Sequence, residues 1–100
     1  MYNFKGTDYQ AIINQKKIVL VDFYATWCEP CRKLEPILED IEQNNKEVFF
    51  CKLDIDKYDD LVTQYQVKSF PTLILYYNGK EIKRHLGFCS KKELLNFLKI

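Results

Sequence analysis

Two of the four thiols in this sequence, Cys28 and Cys31, stand three residues apart in Cys28-Glu29-Pro30-Cys31, while Cys51 and Cys89 are isolated. Residues at that spacing on the first turn of a helix are neighbours, so the two sulfurs can close an intrachain disulfide and reopen it. Unpaired amides and the dipole at a helix N-terminus favour an anion, which points to Cys28 as thiolate and nucleophile. Pro30 suits the same place, because a first-turn residue has no intrahelical amide bond to lose and its fixed φ stiffens the loop. Zinc would want four ligands, and Cys51, Cys89 and His85 are scattered. A purely structural disulfide usually belongs to secreted chains with sparse cores. We therefore expect redox chemistry, with no metal and no bound cofactor.

An acidic residue breaks the apolar run Ile18-Val19-Leu20-Val21-Asp22-Phe23-Tyr24. A carboxyl buried in such company holds its proton more tightly than usual. Asp22 is then placed to accept a proton from Cys31 and activate the second thiol when it is needed. Lys52 either pairs with Asp22 or points to solvent, and the pattern does not choose.

The elements that must position these groups follow from periodicity. Tyr2–Lys5 reads as a short strand, and Thr7-Asp8-Tyr9-Gln10 as a capping box opening a helix toward Asn14. Residues 18–24 and 48–54 are nearly continuous apolar runs rich in β-branched and aromatic residues, the pattern of strands buried on both faces. From Glu29 to about Asn44, Cys31, Leu34, Ile37, Leu38 and Ile41 recur three or four apart, which describes an amphipathic helix. A shorter helix is expected over 59–65. Residues 72–77, the pair Asn78-Gly79 and residues 80–86 read as a β-hairpin. Ser90-Lys91-Lys92-Glu93 is a second capping box, starting the last helix. The order β-α-β-α-β-α-β-β-α implies an α/β sandwich, a mixed sheet with helices on both faces.

At 100 residues, 47% hydrophobic and 29% charged, the chain suits one domain, residues 1–100, able to bury its own core. Lys+Arg number 15 against 14 Asp+Glu, a formal net charge of +1, so no basic excess points to nucleic acid. No apolar run approaches the ~20 residues of a membrane span, and the first residues lack the apolar core of a signal peptide. The expectation is a cytoplasmic protein that binds neither nucleic acid nor membrane.

Residues Val21 to Cys31, with Trp27 before the first cysteine, together with Pro36, Phe70-Pro71-Thr72, Asn78-Gly79 and Gly87, resemble the thioredoxin family over nearly the whole chain. The resemblance implies a thioredoxin-like three-layer α/β/α sandwich that reduces protein disulfides. Cys28 would attack, Cys31 resolve and Asp22 serve as the buried acid-base group. Trp27 would border the active surface, and Pro71 would be a cis proline facing the cysteines. Pro30, Phe70, Gly87 and Phe88 would join Trp27 and Pro71 in contacting substrate, which could pair as an added strand. The implied partners are disulfide-containing protein substrates and a thioredoxin reductase as electron donor, with the protein itself a monomer.

Two departures from the family pattern stand out. Glu29 occupies a position usually held by Gly, and Tyr24 one usually held by Trp. A carboxylate beside Cys28 opposes thiolate formation, although it suits a helix N-terminus. The tetrapeptide also resembles membrane-tethered reductases of cytochrome c maturation, but the chain has no room for their insertion between Cys31 and Pro71. A non-catalytic binding module is the alternative outside enzymes, and the presence of both cysteines and Asp22 argues against it. Cys51 is expected in the sheet as a small hydrophobe, and Cys89 near the substrate loop, as an unreactive thiol or a regulatory one.

Overall fold

The computed structural model describes residues 1–100. Five strands, β1 (Tyr2–Asn3), β2 (Ile18–Tyr24), β3 (Val48–Asp54), β4 (Thr72–Tyr77) and β5 (Lys80–Leu86), alternate with four helices. The helices are α1 (Tyr9–Ile13), α2 (Glu29–Glu42), α3 (Asp59–Gln64) and α4 (Lys91–Phe97). The sheet runs β1-β3-β2-β4-β5. Strands β1, β3 and β2 are parallel, while β4 pairs antiparallel with both β2 and β5. This is the mixed sheet expected, closed by a hairpin whose turn residues Asn78 and Gly79 both take positive φ.

Alternation along the central strands sorts their side chains between two cores. Val19, Val21, Phe23, Cys51, Leu53, Ile74 and Tyr76 face Tyr9, Ile12 and Ile13 of α1, with Leu61 and Val62 of α3 packed against the same cluster. Leu20, Phe50, Leu73 and Leu75 face Leu34, Leu38 and Ile41 of α2 and Leu94 of α4. Burying each such side chain contributes about 1.5–3 kcal/mol, so β2, lined on both sides, anchors the fold. Asp22 and Lys52 are register partners on adjacent strands, in step with Leu20 and Phe50, and so belong to the side covered by α2.

The helix ends explain where the sequence reading held. Ser90 accepts from the Glu93 amide while the Glu93 side chain accepts from the Ser90 amide, the expected capping box. The box expected at Thr7 does not form. Asp8 is the N-cap of α1, accepting from the Gln10 amide at 3.0 Å, because a short ionised acceptor is the better partner for a helix N-terminus. The first strand stops at Asn3 rather than Lys5, and α2 ends at Glu42, where the Asn45 side chain donates to the Ile41 carbonyl. No helix is long and apolar enough to cross a membrane.

Candidate active site

The β2 strand ends at Tyr24, and four residues later Cys28 becomes the N-cap of α2, in extended conformation with φ −90° and ψ 113°. Its Sγ accepts from the Cys31 amide at 3.3 Å, one of the donors a helix start leaves unpaired. Pro30 sits in the first turn, where it removes no helical hydrogen bond. Cys28 and Cys31 are joined as a disulfide, with Cα atoms 5.3 Å apart. Cys28 keeps 7% of its surface exposed and Cys31 only 2%, so an incoming reagent meets Cys28 first. The Glu29 carboxylate points into solvent, 3.7 Å from the Lys33 ammonium one turn on.

Around the disulfide lies an exposed apolar rim. Trp27 is 63% exposed, its indole N–H donating to Asp56 at 2.8 Å, and its ring meets Phe70 edge-on at 6.5 Å. The Phe70-Pro71 peptide bond is cis. The Phe70 carbonyl oxygen lies 3.7 Å from the Cys28 sulfur. Gly87, at φ +86°, donates its amide to the Pro71 carbonyl at 2.7 Å, which draws the loop after β5 against the cis segment. Phe88, 47% exposed, lines a hollow with Glu29, Pro30 and Lys33. Trp27, Pro30, Phe70, Pro71, Gly87 and Phe88 thus gather at one end of the sheet with the cysteines.

Behind the disulfide the chemistry is polar. Asp22 is 2% exposed and its Oδ1 has no hydrogen-bond partner. Burial, reinforced by the Glu35 carboxylate and opposed by the Lys52 ammonium, pushes its carboxyl up to about 7. Lys52 takes neither course open to it in the sequence. Its ammonium donates to Glu35 Oε1 at 2.7 Å and lies 5.1 Å from the centre of the Tyr24 ring. Cys31, Glu35, Lys52, Tyr24, Ala25, Thr26 and Arg32 line a cleft that opens beside the second cysteine.

Glu35 and Asp56 were not singled out in the sequence. Glu35 had a signal: it lies four residues after Cys31 and so on the same side of α2. Asp56, 29 residues from Trp27, had none. Cys51 is buried as expected, its thiol pushed up to about 12 by burial and by Asp22. Cys89 is also buried, packed with Leu20 and Leu94, and burial followed by Glu93 pushes its thiol up to about 11. That environment makes it the unreactive thiol of the two alternatives.

Reversible disulfide chemistry on this scaffold places the molecule among the thiol-disulfide oxidoreductases. The family model described as Thioredoxin matches residues 1–100, and the chain belongs to the thioredoxin family. It is 40% identical over 88 residues to a thioredoxin of Mycoplasmoides gallisepticum, covering 88% of each chain. It is 43% identical over 89 residues to a bifunctional thioredoxin reductase/thioredoxin of Mycobacterium leprae, covering 87% of this chain and 19% of that one. Among solved structures, a mutant thioredoxin from Halobacterium salinarum superposes with a TM-score of 0.90 at 30% identity, covering 97% of this chain and 86% of that one.

Proposed function

We propose that the protein reduces disulfides in other proteins, with Cys28 as nucleophile, Cys31 as resolving thiol and Asp22 as acceptor of the Cys31 proton. The observation that carries this reading is the position of Cys28: the more exposed sulfur of the pair is also the one that caps α2 and accepts a backbone amide. There a thiolate is stabilised by the helix N-terminus. It attacks one sulfur of the substrate disulfide, and the other leaves as a thiolate, giving a mixed disulfide. Cys31 passes its proton to the Asp22 carboxylate and attacks Cys28 Sγ. The Cys28–substrate bond breaks, the substrate departs as a second thiolate, and the Cys28–Cys31 disulfide holds the two electrons' worth of oxidation. Tethering Cys31 three residues away makes this second step intramolecular.

Trp27, Pro30, Phe70, Pro71, Gly87 and Phe88 form the platform for the substrate chain, a reading supported by the exposure of Trp27 and Phe88 and by the Phe70 carbonyl 3.7 Å from the Cys28 sulfur, although Pro71 itself is buried. The oxidised protein is returned to the dithiol by a thioredoxin reductase, a pairing supported by the name of the bifunctional M. leprae relative. A monomer suffices for this reaction, since Cys28, Cys31 and Asp22 lie on the same chain. Two free buried cysteines beside the redox pair suit the reducing cytoplasm. The test is trapping: Cys31→Ser should accumulate a mixed disulfide with a disulfide-bonded protein substrate, and Cys28→Ser should trap none and reduce none. Undiminished reduction by Cys28→Ser would overturn the assignment, and no reduction by the wild type would favour a binding module.

A further inference from the structure

The cleft beside Cys31 holds an arrangement that the exchange reaction does not itself require. Asp22 on β2 and Lys52 on β3 are register partners, so the nearest cation in the fold starts one strand away from the buried carboxyl. Yet the Lys52 ammonium is carried off to Glu35 on α2, at 2.7 Å, and lies over the Tyr24 ring, 5.1 Å from its centre. Asp22 is left with Oδ1 buried and unpartnered.

We propose that Glu35 is a positioning residue that holds Lys52 in the cleft and away from Asp22, so that Asp22 keeps its proton to a higher pH. The groups facing Asp22 agree on this from each element packed around it. Lys52 lies on β3, whose neighbouring Cys51 thiol is neutral and turned to the opposite side of the sheet, and Glu35 lies on α2, where Glu39 adds a second carboxylate acting on Lys52. Tyr24 stands two residues on along β2, the register partner on β4 is Leu73, and the Cys89 thiol approaches from the segment before α4. Lys52 is the one cation in this set, so whichever carboxylate holds it decides the charge balance at Asp22. Glu35 also lies one turn beyond Cys31 on the same helix, which ties the setting of Asp22 to the helix that carries the resolving thiol.

The catalytic consequence rests on the reading of Asp22 as proton acceptor; the placement of Lys52 does not. Both can be read in the full reduced chain. The Asp22 carboxyl carbon is followed by NMR against pH and assigned by its loss in Asp22→Asn. Glu35→Ala, which removes both the charge and the acceptor, should lower the Asp22 midpoint by about one pH unit as Lys52 turns to it. In a Lys52→Met background the same change should move the midpoint by less than half as much. An unchanged midpoint in Glu35→Ala overturns the proposal, and so does an equal fall with and without Lys52, which would mean that Glu35 acts by its own charge alone.

The kinetic arm loads Cys28 with thionitrobenzoate and follows its release by Cys31 across pH. The pH dependence should move toward acid in Glu35→Ala in step with the NMR midpoint. If Asp22→Asn resolves the mixed disulfide at the wild-type rate at every pH, the reading of Asp22 as base fails while the NMR result stands or falls separately.

Discussion

Replacing Asp22 by Asn should stabilise the folded protein by an amount that grows as pH rises from about 4 to about 7 and is constant above that. The carboxyl stands at 3.8 when exposed and is pushed to about 7 in the fold, chiefly by burial. Between those values the folded state holds a proton that the unfolded chain has released, so folding stability falls as pH rises from about 4 to about 7 and is level beyond. A rise of about three units at about 1.4 kcal/mol each amounts to about 4 kcal/mol, a large share of the 5–15 kcal/mol typical of a domain. Asn has nearly the same shape and no charge to desolvate, so it removes this penalty. Guanidinium unfolding of the oxidised proteins should show a variant more stable by about 4 kcal/mol at about pH 8.5, a midpoint rise on the order of 1 M. At about pH 4 the two should agree within about 1 kcal/mol, since both side chains are then neutral in the fold. A stability difference of the same size at both pH values would refute the reasoning, because it would then come from packing and not from a buried charge. A variant less stable at about pH 8.5 would mean that Asp22 is better solvated than its surroundings indicate.

Glu29→Gly removes an exposed carboxylate next to Cys28; alkylation of the reduced protein by iodoacetamide near neutral pH should quicken by less than about threefold, the modest size expected of a solvent-screened charge. An equal rate would dismiss any influence of Glu29 on the nucleophile, and a slower one would show that its favourable place at the helix N-terminus outweighs its repulsion of the thiolate. Leu34→Ala opens a cavity beneath α2 where the side chain is fully buried, and should cost about 3 kcal/mol in denaturant unfolding while the purified, folded variant still exchanges disulfides. A loss under about 1 kcal/mol would show that the layer between α2 and the sheet can collapse around the gap.

Strands β2, β3 and β4 were legible because burial leaves a nearly continuous apolar run, and the charged, exposed β5 because it follows the Asn78-Gly79 turn; all four begin and end at the expected residues. The redox pair was legible because its chemistry is local: spacing, helix start and proline all lie within four residues. What was not legible depends on groups brought together by the fold. Lys52 could not be assigned because its partner is 17 residues away on another element. Cys89 lies in a segment that reads as loop, and only the packing of Leu94 and Leu20 over it makes it inert. The cis Phe70-Pro71 bond was expected from family resemblance alone, since no local pattern encodes an isomer. At the start of α1 two adjacent residues were both competent caps, and the choice fell to the stronger acceptor.

The two margins of the sheet carry a consequence for how such a molecule survives its own substrates. One margin is β1, only two residues long, and the other is β5, in which Lys80, Glu81, Lys83 and Arg84 place charge along most of the strand. Short and charged edges are poor templates for further strand pairing. Chains with disulfides to be reduced often expose unpaired backbone, and a flat apolar edge would recruit them into aggregates. Here adhesion along the sheet is discouraged on both sides, and the exposed apolar rings of Trp27 and Phe88 stand instead at the end of the molecule where the sulfurs are.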